Sequence, residues 1–179
     1  KDGVADSPQK MDSYLSTIYN RANDMDALID DLFLFSKLDL KKIKFNFEEL
    51  DIVRYINYFI EELSWDFEEQ GIEVHFHVKE SNHELVIADR EKLKRVFVNI
   101  IQNSSKHMKS HEKIIEFSIE NIDGFIKIII RDNGNGIEAT SIPHIFDRFY
   151  RADNARNALT GGSGLGLAIS KQIIHEHGG

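Results

Sequence analysis

Asp132-Asn133-Gly134-Asn135-Gly136-Ile137 and Gly161-Gly162-Ser163-Gly164-Leu165-Gly166-Leu167 bracket a segment built around Phe146-Asp147-Arg148-Phe149-Tyr150-Arg151. Glycine permits positive φ and close backbone approach, so two such segments can turn their amide N–H groups toward the oxygens of a polyanion. A single Gly-x-Gly is more often a turn than a site, and Asp-Asn-Gly by itself is an ordinary turn. The order of the two boxes, and what lies between them, makes the set read as a nucleotide pocket. Working outward, residues 114–121 and 125–131 alternate apolar and polar around Asp123-Gly124, which predicts a hairpin that delivers Asp132 at a strand end. On the other side, Leu165, Leu167, Ala168, Ile169, Ile173 and Ile174 set the apolar pattern of a helix running to His175 or His177. The N-terminus of that helix, with unpaired N–H groups and the positive end of the dipole, favours anions.

A third element lies upstream. Residues 89–107 scan as one helix, with Leu93, Val96, Phe97, Ile100 and Ile101 on its apolar stripe. Asn99, Asn103 and Lys106 follow at i, i+4 and i+7, which places them at the edge of the core. An amide oxygen is a neutral, hard ligand that suits Mg²⁺, an ion that keeps several waters and takes other contacts from substrate phosphates. Asn103 is the candidate metal ligand, and Lys106 is the candidate mobile point charge on the same phosphates. Amphipathic helices carry Asn and Lys on outer faces for no functional reason, so this helix decides nothing alone.

Together these motifs resemble the ATP-binding domain of bacterial sensor histidine kinases, the catalytic half of two-component systems. Residues 99–107 resemble that family's N box, 132–137 its first glycine box, 146–151 its F box and 162–166 its second glycine box. The resemblance covers most of the chain. It implies an α+β fold, a two-layer sandwich in which helices cover one face of a mixed sheet, with Mg²⁺ and ATP between the N-box helix and a lid at residues 153–162. It further implies that Asp132 accepts the adenine amino group, that Gly134 and Gly136 give the base room beside Ile137, and that Gly162, Ser163, Gly164, Leu165 and Gly166 surround the phosphates. Arg148 would reach the γ-phosphate when the lid closes, with Arg151 either assisting or tethering the lid. His107, where an aromatic residue often stands, would contact ribose or phosphate. Ser104 replaces the usual Ala and, as a hydroxyl at a packed position, calls for a local hydrogen-bond partner. Asn99, Lys106 and Arg148 form the implied catalytic set. ATPases that share the fold carry a water-activating Glu at the position of Asn99, whose amide cannot act as a base near neutral pH. Transfer to a protein is therefore favoured over hydrolysis, with a clamp-type ATPase and a non-catalytic binding module as alternatives.

The front of the chain supplies a partner surface. Ser7-Pro8 predicts a helix start, and Met11, Leu15, Ile18, Ala22, Met25, Ile29 and Leu32 recur at the spacings of a helix-bundle seam. By the resemblance, residues 1–44 hold the end of one helix and the second helix of a homodimeric four-helix bundle, and residues 45–179 the ATP-binding domain. The boundary falls in the charged stretch 39–46. A first strand is predicted at 45–50, a helix at 52–67 with Trp65 on its core side, and a strand at 72–78. None of the eight histidines has the flanking residues of the family's phosphoacceptor. The chain is therefore expected to be truncated at both ends and unable to phosphorylate itself, passing phosphate to an external histidine and on to a response-regulator aspartate. His75 and His77 alternate on the 72–78 strand, and without a third ligand they read as a solvated face. With 41% hydrophobic and 29% charged residues, the 179-residue chain can bury one core plus a helical appendage. A net charge of −8 argues against a nucleic-acid surface, and zero cysteines fit a reducing compartment. No run is long and apolar enough to span a bilayer. The expectation is a cytoplasmic segment of a membrane-anchored sensor.

Overall fold

The computed structural model describes residues 7–78, 83–108, 112–151 and 163–179. Helix α1 (Pro8–Asp39) begins where a hydroxyl precedes proline: Ser7 Oγ accepts from the Lys10 N–H at 3.3 Å. Its predicted seam is open, with Ile18 at 65% and Met25 at 62% exposure, whereas Leu38 near its C-terminus is buried. Strand β1 (Glu48–Asp51) runs into α2 (Ile52–Glu62), which Asp51 caps by accepting from the Arg54 N–H at 3.1 Å. A second short helix, α3 (Ser64–Glu69), precedes β2 (Ile72–Val78). The single helix expected over 52–67 is thus interrupted at Leu63, whose backbone leaves helical geometry (φ −96°, ψ 5°). The interruption resets the helical phase, so Phe67 turns into the core and Trp65, expected there, is 75% exposed.

Strand β3 (Leu85–Ala88) pairs antiparallel with β1, Glu48 opposite Ala88. Four apolar residues in a row give no alternation to read, so only pairing defines this strand. Helix α4 (Arg90–His107) follows, capped by Asp89, which accepts from the Lys92 N–H at 3.0 Å. Strands β4 (Lys113–Ile122) and β5 (Phe125–Asp132) form the expected hairpin. Its two-residue turn takes positive φ at both Asp123 (52°) and Gly124 (84°), as a right-twisted hairpin requires. Helix α5 (Gly166–Glu176) closes the described chain.

The sheet β2–β4–β5 is mixed: β2 and β4 are parallel, β4 and β5 antiparallel. On β4 the alternate residues Ile115, Phe117 and Ile119 are no more than 2% exposed, and the core forms where helices cover that face. Phe97 of α4 lies 5.4 Å from Phe59 of α2 and 6.3 Å, edge-on, from Phe117. This is the expected two-layer α+β sandwich preceded by a long helix. Among the described residues, no helix is long and apolar enough to cross a membrane.

Candidate functional site

The C-terminal half of α4, the end of β5 and the start of α5 converge. Asp132, the last residue of β5, is braced by two donors: Ser104 Oγ donates to one carboxylate oxygen at 2.8 Å, and the Gly134 N–H to the other at 2.9 Å. The partner required by buried Ser104 is therefore Asp132 itself. Each carboxylate oxygen keeps a further lone pair, so the side chain can still accept from a ligand. Packing within the protein also requires Gly134. A Cβ there would stand 2.8 Å from the Asp132 carboxylate and 3.3 Å from the His107 carbonyl, so glycine lets the end of α4 close onto the strand. Gly136 has φ +71° with open space around it, and Ile137 is exposed. Asn133 anchors the box from behind, exchanging hydrogen bonds with the backbone of Ile114 and Glu112.

On α4, Asn103 is half-buried, and no hydrogen bond to a described residue engages its amide. Lys106 and His107 are exposed one turn further along. Asn99 is not at the core's edge, as a lone helix would have it, but 7% exposed, because α5 packs across that face of α4. Its amide donates to the Gly166 carbonyl at 2.9 Å and to Ser170 Oγ at 3.2 Å. Asn99 thus fixes the first turn of α5 against the helix that carries Asn103. The side chain of Leu165 is fully buried, and its N–H donates to Ser163 Oγ at 3.1 Å. Of the second glycine box, Gly162 lies outside the described residues, as does the whole of the lid expected at 153–162.

The F-box segment packs on that box. Phe149 takes φ +61°, and its N–H donates to the Gly164 carbonyl at 3.0 Å. Gly164, at φ +68°, admits no side chain, since a Cβ would stand 2.8 Å from the Phe149 carbonyl carbon. Arg148 reaches toward α1: its guanidinium is 2.7 Å from Asp39 and lies over the Phe35 ring, 4.5 Å from the centroid. Arg151 is half-buried. Asp31 of α1, 8% exposed, accepts from Arg95 of α4 and from Ser163 Oγ at 2.7 Å. In this arrangement α1 touches both the N-box helix and the second glycine box. No sequence signal singled out Asp31, Asp39 or Arg95, whose partners are 64 to 132 residues away.

Two other features bear on the site. Asp89 and His177 tie the far end of α4 to α5: the Asp89 N–H donates to His177 Nε2 at 3.0 Å, and His177 Nδ1 pairs with the Ile173 carbonyl at 2.7 Å. A concavity of about 330 Å³ lined by Asp51, Arg54, Tyr55 and Arg90 lies at the N-terminal end of α4. That is about 20 Å along the helix from Asn103 at 1.5 Å per residue, so it is no part of the glycine-box site. Within it, burial pushes the Tyr55 hydroxyl up to about 12, and that hydroxyl donates to the Arg90 carbonyl.

Comparison with known proteins gives the same picture. The family model described as histidine kinase-, DNA gyrase B-, and HSP90-like ATPase matches residues 88–179. The sensor protein kinase WalK of Staphylococcus epidermidis is 34% identical over 183 aligned residues, covering the whole of this chain and 29% of its own length. The chain thus spans less than a third of that relative. The histidine kinase ThkA, solved in complex with the response regulator TrrA, superposes with a TM-score of 0.75 at 20% identity, over 98% of this chain and 47% of its own. ShkA, solved full-length with AMPPNP, superposes with a TM-score of 0.72 at 23% identity, over 93% of this chain and 34% of its own. With the mixed sheet, the braced Asp132 and the first glycine box in place, the chain belongs to the histidine kinase-, DNA gyrase B- and HSP90-like ATPase family, on its sensor histidine kinase branch.

Proposed function

We propose that this chain is the kinase core of a two-component sensor: it binds ATP with Mg²⁺ and passes the γ-phosphoryl to a protein histidine, from which a response-regulator aspartate takes it. The observation that carries this is Asp132, a carboxylate at a strand end whose two oxygens are each oriented by a protein donor while further lone pairs remain for a ligand. Adenine offers an N–H donor where guanine has a carbonyl, so such a carboxylate selects the adenine ring.

Asn103, half-buried with an amide that no described residue engages, fits a Mg²⁺ ligand. Asn103 would hold the ion, whose positive charge would offset the charge of the phosphates. The chain's own residues supply position: Asn99 locks the first turn of α5, Gly164 lets the F box lie on that turn, and the helix N-terminus favours phosphate. Lys106 and Arg148 supply mobile positive charge. Arg148 must leave Asp39 to do so, and an ion pair this exposed holds it by only about 0–1 kcal/mol. Asn99 also speaks against water activation, because its amide N–H groups are committed to Gly166 and Ser170 and it has no basic atom.

The exposed α1 seam supports pairing with a second copy in a helical bundle, which would bring a histidine-bearing helix within reach of the ATP site. The test is calorimetry of Mg-ATP binding to the chain, with Asn103→Ala beside it, followed by transfer of label from γ-labelled ATP to a histidine-bearing bundle helix supplied with the chain. Binding and acid-labile label, both lost in Asn103→Ala, are expected. Steady hydrolysis without labelled protein would favour the clamp-type ATPase, and an absence of binding would reject the proposal.

A further inference from the structure

We infer that the solvent face of the sheet carries a second cation site, a His-His-Glu triad formed by His75, His77 and Glu116 that takes a divalent transition ion of the zinc class. His75 and His77 project from the same face of β2, and the parallel register sets Glu116 of β4 directly opposite His75. One ligand atom from each of the three lies within 4.8 Å of the others. A tetrahedral ion with bonds of about 2.0–2.2 Å needs ligand atoms roughly 3.4 Å apart, so side-chain rotations of about 1 Å close the triad without moving either strand. The two rings already stand edge to face, with centroids 6.2 Å apart.

The surroundings suit such an ion. Glu73, next on the same face of β2, is 2.8 Å from His75 Nε2, where a carboxylate orients the ring and adds negative charge beside a cation. The opposing charge is slight: Arg131 on β5 approaches Glu116 at 3.8 Å in a pair that is mostly solvated, and it can be displaced at little cost. Two imidazoles and a carboxylate select Zn²⁺, Cu²⁺ or Ni²⁺ over Mg²⁺, whereas the amide oxygen of Asn103 has the opposite preference. The two sites are also on opposite sides of the sheet. Ile115 and Phe117, which flank Glu116, are fully buried against the helix layer, so Glu116 points away from α4. Water supplies the fourth position. Bound metal would join β2 to β4, strands whose ligands are 41 residues apart in sequence, and so stabilise the domain by binding only its folded form.

The experiment titrates Zn²⁺ into the tag-free chain by calorimetry and follows its melting temperature with Zn²⁺ or Mg²⁺ present. The expected result is one saturable Zn²⁺ per chain, a rise in melting temperature with Zn²⁺ that Mg²⁺ does not reproduce, and affinity at least about tenfold weaker in His77→Ala and in Glu116→Gln. His77 is exposed, so its variant keeps the fold. Arg131→Ala, which removes the competing cation, should bind Zn²⁺ more tightly. Unchanged affinity in His77→Ala, or loss of binding in His175→Ala instead, would overturn the assignment.

Discussion

Replacing Asp132 with Asn separates the two demands placed on this side chain. In the folded protein its oxygens meet two donors, the Ser104 hydroxyl at 2.8 Å and the Gly134 N–H at 2.9 Å. Asn can satisfy both: its oxygen accepts from Gly134, and its NH₂ donates to Ser104, whose hydroxyl can turn to accept. The stability loss should therefore be small, about 1 kcal/mol. Ligand binding should lose more, because one of the two acceptor oxygens becomes a donor NH₂ and the oxygen that remains for the adenine amino group is uncharged. Losing a hydrogen bond to a charged acceptor costs about 1.5–3 kcal/mol, which is roughly a 10- to 150-fold loss of affinity. The same NH₂ is complementary to the guanine carbonyl, so the preference for ATP over GTP should narrow in the variant. Calorimetric titration of Mg-ATP and Mg-GTP, alongside urea unfolding, measures all three quantities. An Asp132→Asn protein that binds Mg-ATP within about twofold of the original, or that unfolds before the comparison can be made, would refute the reasoning.

Gly164→Ala places a Cβ 2.8 Å from the Phe149 backbone at φ +68°. It should cost at least about 1–2 kcal/mol from left-handed strain alone and displace the F box, which a weakened Mg-ATP affinity and a lowered urea midpoint would register. Asp39→Ala removes the ion pair that holds Arg148 on α1, so Mg-ATP should bind up to about fivefold more tightly with stability changed by less than about 1 kcal/mol; weaker binding would contradict this. Burial pushes the Asp51 carboxyl up, but hydrogen bonds from His83 and the Arg54 N–H outweigh it and hold the group below its ordinary value. A depressed carboxylate stabilises the fold above its unfolded value of about 3.9 and loses that contribution as pH falls through the folded value. Unfolding free energy should therefore drop below about pH 4, and Asp51→Asn, which keeps an acceptor for the α2 cap, should flatten that part of the profile.

Local pattern alone was enough for the elements whose signal lies within one turn or one strand: the Ser7-Pro8 start of α1, the 72–78 strand, the Asp123-Gly124 hairpin, the N-box helix and the final helix. The ordered glycine boxes likewise announced the family, because their chemistry depends on backbone freedom that only glycine has. What the sequence could not specify depends on which surfaces meet. Trp65 lay on the wrong side because a break at Leu63 reset the helical phase. Asn99 became a bridge between helices only because α5 crosses α4, and Ser104 found its acceptor 28 residues away. Asp31, Asp39 and Arg148 carry no local signal for their pairing, since a charged side chain chooses its partner from whatever the fold brings near. The His75–His77 pair shows the division plainly. Alternation put two ligands on one face, but the third came from the parallel register of β2 on β4, a long-range pairing that no window of neighbouring residues encodes.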